Sequence, residues 1–253
     1  RDGKYEKVCF KEGEFESRDT GRSVGSTGTN VTWQASEEFF TNPIVEIEKV
    51  KDLFKTISCL CPGLTINLDD NGKMIKFYSE NGLNDLVDSA VKDKELITNR
   101  CSIRFEEGKE KMDFVLTYTS NYSQIIVPYV NSGKTEKGPH ITQIKTVITR
   151  EFNKFFREKK WLKEKDENLT GDDIAEGMYI IFNLTAPGVA YDAQVKSNIT
   201  KIEMKNFTQA ISDNLNYWFV NNEKEIKLIA DKAINARKAR EAAKKARDAA
   251  RGD

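Results

Sequence analysis

The stretch Leu169–Thr185, LTGDDIAEGMYIIFNLT, decides the fold. Its first half predicts a capped helical turn, because Thr170 suits the N-cap position and the positive end of a helix favours Asp172 and Asp173. Its second half, MYIIFNLT, is apolar enough to predict a strand that is buried on at least one face. A helical turn that leads straight into a buried strand is typical of a domain in which helices cover a sheet.

Outward from this stretch, apolar residues at helical spacing mix with strand patterns, without strict alternation. The predicted helices cover residues 43–58, 82–92, 139–157 and 203–220, with a last helix from Asn222 onwards. The predicted strands cover residues 4–11, 28–34, 64–68, 74–78, 102–107, 112–119 and 124–130. The first two strands are joined by a loop at 17–27, and the last three form a meander. This mixture predicts an α+β fold, with a sheet of three to four strands backed by the helices at 43–58 and 139–157.

The composition predicts a soluble, highly charged globular protein. Of its 253 residues, 38% are hydrophobic and 32% are charged. No apolar run approaches the roughly 20 residues of a membrane span, and the N-terminus, RDGKYEKVCF, lacks the apolar core of a signal peptide. The four cysteines form no C-x-x-C pair, so we expect buried or half-buried free thiols in a reducing, cytoplasmic compartment. Because the first residue is arginine, we expect a fragment of a longer chain.

The C-terminal stretch Lys224–Arg251 is strongly basic. It holds ten Lys or Arg residues against four Asp or Glu, although the whole chain has 40 of each kind. Two interpretations stay open: a surface that binds nucleic acid, or a solvated helix on which basic residues alternate with alanine. We expect this helix to be weakly held, because it offers little apolar face. Asn222 and Glu225 stand in capping-box register at its start.

Motifs of the common enzyme classes are weak in this chain. The stretch NSGKT, residues 131–135, resembles the end of a phosphate-binding P-loop, but Pro128 stands where that motif needs glycine. His140 is the single histidine, and its place at a helix start favours a structural hydrogen bond over catalysis. No spacing of cysteine and histidine indicates a zinc site, and no metal ligand is assigned.

Gln194 and Lys196 lie one residue apart in YDAQVKSNIT, a stretch that follows Pro187-Gly188 and is therefore predicted to be a loop. On an extended segment, side chains two residues apart point the same way. The residue types leave two interpretations open. Either the loop is merely solvated, or Lys196 supplies a point charge, and Gln194 an amide donor, to a phosphate group.

Six landmarks follow one another along the chain: TGTNVTW, PGLTINL, YVNSGKTEKGPH, LTGDDIAEG, YDAQVKSN and KAINARKAREAAKKARDAAR. In this order they resemble motifs of the ATPase subunits of type IIA DNA topoisomerases, namely DNA gyrase B and its topoisomerase IV counterpart. Each motif alone is unspecific, but together they span nearly the whole chain in register. The sequence therefore resembles this family in the region of its transducer domain.

The resemblance implies three parts. Residues 1–35 match the last strands of a GHKL-type ATP-binding domain, residues 36–205 a transducer domain, and residues 206–253 a helical arm towards the DNA-cleavage core. The transducer is expected to contain a left-handed βαβ crossover, as in domain 2 of ribosomal protein S5. The family's catalytic glutamate, its magnesium-binding asparagine and its Toprim motifs have no match in this chain, so we expect the chain alone to be inactive as an ATPase.

The resemblance also implies an ATP site. In this family a Gln-Thr-Lys loop contacts the γ-phosphate, and here Gln194 and Lys196 match, with Val195 in place of threonine. Lys196 is thus the expected catalytic residue, Gln194 and Lys196 are expected ATP ligands, and Thr29 is expected near the adenine. The implied cofactors are ATP and Mg²⁺, with the metal held outside this chain. Gly138-Pro139-His140 departs from the family's Gly-Gly-Thr-His.

The function that the resemblance implies is the coupling of ATP binding and hydrolysis to dimer closure and DNA strand passage. The implied partners are DNA, a second copy of the ATPase subunit, and a partner subunit of the gyrase A or topoisomerase IV A type. Two alternatives stay open: the second domain of another GHKL protein, such as a MutL-type ATPase or an Hsp90-type chaperone, and a non-enzymatic DNA-binding or scaffold module.

Overall fold

The computed structural model describes residues 2–25, 27–42 and 44–252, and the chain divides into two compact units, Arg1–Lys51 and Asp52–Asp253. The strands are β1 (Lys4–Lys11), β2 (Glu14–Arg22), β3 (Ile66–Asp70), β4 (Lys73–Phe77), β5 (Cys101–Glu107), β6 (Glu110–Tyr118), β7 (Ile125–Val130), β8 (Gly133–Lys134), β9 (Met178–Thr185), β10 (Ala190–Tyr191) and β11 (Ile199–Lys201). The helices are α1 (Ile47–Leu60), α2 (Leu83–Val91), α3 (Pro139–Glu158), α4 (Gly171–Ile174), α5 (Lys205–Asn221) and α6 (Glu223–Arg251). None of the helices in these ranges combines the length and apolarity that a membrane crossing needs.

In the N-terminal unit, β1 pairs antiparallel with β2 and not with a strand at 28–34. Glu12 and Gly13 form the turn between them, and their φ angles of 53° and 87° suit a two-residue hairpin turn. The prediction was wrong because glutamate is uncommon in such a turn, and residues 27–35 form no strand. Ser26, in the loop predicted at 17–27, lies outside the described residues.

Helix α1 begins later than predicted. Pro43, the first residue of the predicted helix, lies outside the described residues, and the helix starts at Ile47. The backbone N–H of Ile44 donates to the side-chain oxygen of Asn42 at 3.3 Å, and such a local turn competes with helix formation. The helix ends at Leu60, just before the predicted stop at Pro62-Gly63. The predicted hairpin of β3 and β4 is confirmed.

The C-terminal unit is built on a five-stranded sheet with the strand order β5-β6-β9-β7-β8. Strand β9 pairs antiparallel with β6 and parallel with β7. The predicted meander of residues 102–130 is therefore wrong, and so is the sheet of three to four strands. The reason is that β9, which is apolar at successive positions, inserts between β6 and β7, where both of its faces are covered. Helix α3 lies between β7 and β9 in sequence, which makes a βαβ unit, and the left-handed sense of this crossover stays a prediction.

The α+β class is confirmed, because the five-stranded sheet is mostly antiparallel, with one parallel pair. Both faces of its central strand, β9, are buried. Its even-numbered residues from Met178 to Leu184 are 0–2% exposed and share a core cluster with α3, α5 and α6. Tyr179 and Ile181 belong to a second cluster, which includes α2 and the C-terminal end of α1. The sheet therefore carries helices on both sides, and not only the helices predicted at 43–58 and 139–157.

The stretch NSGKT forms a hairpin and not a phosphate-binding loop, as predicted. Asn131 and Ser132 have φ angles of 50° and 62°, and they make the two-residue turn between β7 and β8. The four cysteines are free, with Cys59 and Cys101 buried and the other two partly exposed, which confirms their predicted state.

Thr170 caps α4 as predicted. Its hydroxyl accepts from the backbone N–H of Asp173 at 3.2 Å, and the Asp173 carboxylate accepts from the backbone N–H of Thr170 at 2.8 Å, which together make a capping box. Nothing in the sequence indicated the second partner of Asp173, which is Arg240 on α6. The guanidinium of Arg240 donates to both carboxylate oxygens at 2.9 Å. Burial alone would raise the pKa of Asp173, but the hydrogen bonds from Arg240 and Thr170 lower it.

Helix α6 is helical as predicted, but its first half is not weakly held. Ile226, Ile229, Ala230 and Ala233 are at most 1% exposed, and Lys232 donates to the backbone carbonyl oxygens of residues 119–121. The prediction overlooked that these apolar residues fall on one face before the alanine-rich part begins. Residues 238–247 are exposed.

The predicted capping box at the start of α6 is wrong. The Asn222 side chain donates to the carbonyl oxygen of Trp218 at 2.9 Å and does not cap α6. Since α5 ends at Asn221 and α6 begins at Glu223, Asn222 still follows the last turn of α5. The carboxylate of Glu225 instead accepts from the side-chain amide of Asn99 at 2.9 Å.

Removal of the Asp173 charge tests the tie between α4 and α6. We expect Asp173→Asn to lower the free energy of unfolding by about 1–3 kcal/mol, because a 3% exposed carboxylate loses hydrogen bonds from a charged partner. The neighbouring Asp172, whose side chain is 90% exposed, provides the control, and Asp172→Asn should change stability by less than about 0.5 kcal/mol. Urea unfolding of both variants measures the difference, and equal effects would contradict this role of Asp173.

His140 is a buried structural residue, as predicted. It is 0% exposed, its ring stands edge-on to Phe182 with the ring centroids 6.0 Å apart, and its Nε2 lies 2.8 Å from the hydroxyl oxygen of Thr135. Burial disfavours the charged imidazolium and lowers the pKa of His140 to about 4. The ring is therefore neutral at physiological pH.

The neutral burial of His140 links stability to pH. The folded ring resists protonation down to about pH 4, while the unfolded ring titrates near 6.5. The stabilisation is therefore complete above pH 6.5 and is lost as the pH falls towards 4. We expect the free energy of unfolding to drop by about 2–3 kcal/mol more between pH 7 and pH 4.5 in the wild type than in His140→Gln, which does not titrate. Denaturation curves at both pH values measure this, and the same pH dependence in both proteins would contradict it.

Candidate functional site

Gln194 and Lys196 lie in a loop, residues 192–198, that projects from the short hairpin of β10 and β11. The two strands pair antiparallel, with a bulge between Ala190 and Tyr191. We call residues 192–198 the sensor loop. Its location after a Pro-Gly turn confirms the predicted loop. The paired strands β10 and β11 hold the two ends of this loop together.

The neck of the sensor loop is closed by two hydrogen bonds. The backbone N–H of Asp192 donates to the carbonyl oxygen of Asn198 at 3.2 Å, and the Asn198 side-chain amide donates to the Asp192 carboxylate at 2.8 Å. Backbone and side chains thus join the two ends of the loop. The loop is therefore closed without any contribution from the side chains at its tip.

The tip of the sensor loop is a turn and not an extended segment. The backbone N–H of Lys196 donates to the carbonyl oxygen of Ala193 at 3.1 Å, and the φ angle of Lys196 is 60°. The premise that Gln194 and Lys196 point the same way along an extended chain is therefore wrong. Val195 is 83% exposed, and Gln194 and Lys196 lie on either side of it at the tip.

Lys196 carries a charge that is available for a ligand. Its Nζ lies 6.0 Å from the ring centroid of Tyr191, close enough for a weak cation–π contact. Among the residues that the structure describes, Lys196 has no ion pair. A lysine that lies near a ring and has no carboxylate partner is well suited to meet an anion.

A second segment supports the sensor loop from the other side of its neck. We call residues 135–140 the anchor segment. The backbone N–H of Glu136 donates to the carbonyl oxygen of Ser197 at 2.7 Å, and the N–H of Ile199 donates to the carbonyl oxygen of Lys137 at 2.9 Å. Lys137 and Asn198 form a parallel bridge. Sequence reasoning missed this support, and its only signal was the altered Gly138-Pro139-His140 motif.

Thr29 belongs to the N-terminal unit. It is exposed in a stretch without strand structure, and its expected place near an adenine stays a prediction. Within residues 2–25, 27–42 and 44–252, no group of three or more His, Cys, Asp or Glu residues is arranged to hold a metal ion. Gln194 and Lys196 lie together at the exposed tip of the sensor loop, which is therefore the candidate site of the C-terminal unit.

Known proteins match this chain over most of its length. The B subunit of DNA topoisomerase 4 from Bacillus subtilis is 33% identical over 231 residues, which cover 89% of this chain and 35% of that relative. The B subunit of DNA gyrase from Campylobacter jejuni is 30% identical and is matched over 99% of this chain and 33% of its own length. The chain thus spans about a third of the length of these relatives.

The fold matches as well. The 43K ATPase domain of Thermus thermophilus gyrase B, solved in complex with an aminocoumarin, superposes with a TM-score of 0.78 at 26% identity, over 98% of this chain and 69% of that one. A family model described as DNA gyrase B matches residues 82–249, which is more than half of the chain. The chain therefore belongs to the DNA gyrase B family.

Proposed function

We propose that this chain is part of the ATPase subunit of a type IIA DNA topoisomerase, and that Gln194 and Lys196 contact the γ-phosphate of ATP in the parent enzyme. The observation that carries this proposal is the sensor loop, which presents both side chains on a neck closed by Asp192 and Asn198. Membership of the DNA gyrase B family supports a topoisomerase subunit over a MutL-type ATPase or an Hsp90-type chaperone.

The backbone of Lys196 supports a binding role. A φ angle of 60° is uncommon for residues other than glycine, and such strained positions cluster at ligand-binding sites, where the surroundings hold them in place. A merely solvated turn would be less strained with glycine or asparagine at this position. The same conformation occurs at Glu12 and Ser132 in hairpin turns, so the binding role of Lys196 rests on its exposed ammonium group together with this turn.

Phosphoryl transfer explains what this ammonium group would do. Charge spreads over the γ-phosphate oxygens in the transition state, and catalysis rests on positioning and on electrostatic stabilisation. Lys196 would supply a point charge there, and Gln194 would donate one amide hydrogen bond. ATP and Mg²⁺ are the cofactors of this proposal, with the metal held by residues outside this chain.

The same contact couples ATP to movement. With ATP bound, the Lys196–phosphate interaction favours the arrangement in which the sensor loop meets the nucleotide and the dimer is closed. When phosphate leaves, this preference is lost and the arrangement relaxes. In this proposal, helix α6 transmits the conformational change towards the DNA-cleavage core. The transducer contains a left-handed crossover. The partners are DNA, a second ATPase subunit and a gyrase A-type subunit.

Substitutions at the tip of the sensor loop test the proposal in the full-length parent enzyme. We expect Lys196→Ala to lower ATP turnover about 10- to 1000-fold, because a charge clamp on the transferred group is lost. Lys196→Arg should restore turnover only in part, since a planar guanidinium does not replace a compact ammonium. Gln194→Ala should cost less, about 0.5–1.5 kcal/mol of transition-state stabilisation.

Steady-state ATPase kinetics measure these effects, and thermal melts confirm that each variant is folded. Lys109→Ala, at an exposed lysine in the turn between β5 and β6, is the matched control and should hydrolyse ATP at the wild-type rate. A folded Lys196→Ala enzyme with wild-type turnover would show that the sensor loop is only a solvated turn.

A further inference from the structure

The anchor segment is held by a buried polar contact. Thr135 is 1% exposed and His140 is 0% exposed. The Thr135 hydroxyl bridges His140 Nε2 at 2.8 Å and the carbonyl oxygen of Pro128 at 3.3 Å, and the backbone N–H of Thr135 donates to the same carbonyl at 3.0 Å. This one side chain therefore ties β7, the anchor segment and the first turn of α3 together.

Gly138 brings the anchor segment close to β11. Its φ angle is 146°, which side-chain-bearing residues rarely adopt. A Cβ atom added at this position would lie 2.6 Å from the carbonyl oxygen of Ile199 and 2.9 Å from both the Ile199 Cβ and His140 Nδ1. No L-amino acid with a side chain fits here without a shift of backbone, so the close approach depends on glycine.

This packing positions the residues that follow Lys196. The anchor segment hydrogen-bonds to Ser197 and Ile199, which follow Lys196 closely and form the outgoing limb of the sensor loop. The limb has no helix or long strand of its own to fix it, because β11 has only three residues. Its position is therefore set by the anchor segment together with the bonds to Asp192 and β10.

We propose that Thr135, Gly138 and His140 are positioning residues for phosphate capture, which hold the limb of the sensor loop so that Lys196 reaches the γ-phosphate. This inference rests on the proposed function of Gln194 and Lys196. These three residues do not touch the nucleotide. They act through the 197–199 backbone, and a misplacement of a catalytic group by about 1 Å costs on the order of 100-fold in rate.

The first test is hydrogen exchange in the full-length parent enzyme. In Gly138→Ala, peptides that cover residues 192–199 should exchange at least about tenfold faster, because the bonds to the anchor segment open, while peptides from β9 keep the wild-type rate. The control is Gly108→Ala, which shares a positive φ of 61° but has no atom within 4 Å of the added Cβ. It should leave the exchange of residues 192–199 unchanged.

The second test separates positioning from general damage. We expect Gly138→Ala to lower ATP turnover about 10- to 100-fold while its affinity for ADP, which has no γ-phosphate, stays within about twofold of the wild type, as judged by a binding titration. Thr135→Val should behave in the same way, and Thr135→Ser, which keeps the hydroxyl, should restore turnover. If Gly138→Ala does not fold, the Thr135 pair supplies the same comparison.

A double variant shows whether the effect passes through Lys196. In a Lys196→Ala background, Gly138→Ala should lower turnover no further, since residues that act as one unit are not additive. Wild-type exchange of residues 192–199 in Gly138→Ala, wild-type turnover despite faster exchange, or full additivity would each overturn the positioning role.

Failure of the proposed function gives a different result. Lys196→Ala itself would then turn over ATP at the wild-type rate, while the exchange experiment would still report whether the anchor segment holds the sensor loop. Wild-type turnover in Gly138→Ala together with a slow Lys196→Ala enzyme would refute the positioning role alone.

Discussion

The C-terminal unit depends on the burial of β9 on both of its faces. Large apolar side chains alternate between two core clusters along this strand, and each one that is fully buried contributes about 1.5–3 kcal/mol. Asn183 is the polar exception at 6% exposed. Its side chain accepts from the backbone N–H of Ser132 at 3.2 Å and donates to the carbonyl oxygen of Leu60 at 3.4 Å, so it secures the β7–β8 turn and the end of α1 to the central strand.

The two ends of β9 lead to the capped turn α4 and to the hairpin that carries the sensor loop. Before the strand stands the capped turn α4, where the buried Asp173 holds Arg240 of the C-terminal helix. After the strand come β10 and the sensor loop. Helix α3, with 20 residues and thus a length of about 30 Å, begins at the anchor segment. Near its far end, Arg157 donates to the carbonyl oxygens of residues 163, 164 and 166, in the segment that leads to α4.

Local signals explain which elements were predicted correctly. Helix α3 was predicted within one residue, because its apolar stripe is regular and Gly138-Pro139 marks its start. The cap at Thr170 was predicted because capping chemistry acts over three residues. The failures have local causes too. The hairpin turn at Glu12-Gly13 lacks the usual Asn or Asp. The Asn222 side chain hydrogen-bonds to the last turn of α5 and does not cap α6.

For the candidate site too, the sequence determined some features and only the tertiary structure decided the others. The sequence alone determined the elements with short-range patterns, and it placed Gln194 and Lys196 in one loop. Their contact with a phosphate was an expectation that came from the family resemblance. The sequence could not show that β9 lies between β6 and β7, since strand order depends on contacts between residues far apart in the chain. Nor could it show the conformation of Lys196, the salt bridge from Asp173 to Arg240, or the support of the sensor loop by Thr135 and Gly138. These were decided only in the tertiary structure, because hydrogen bonds and close packing between distant segments leave no periodicity in the sequence.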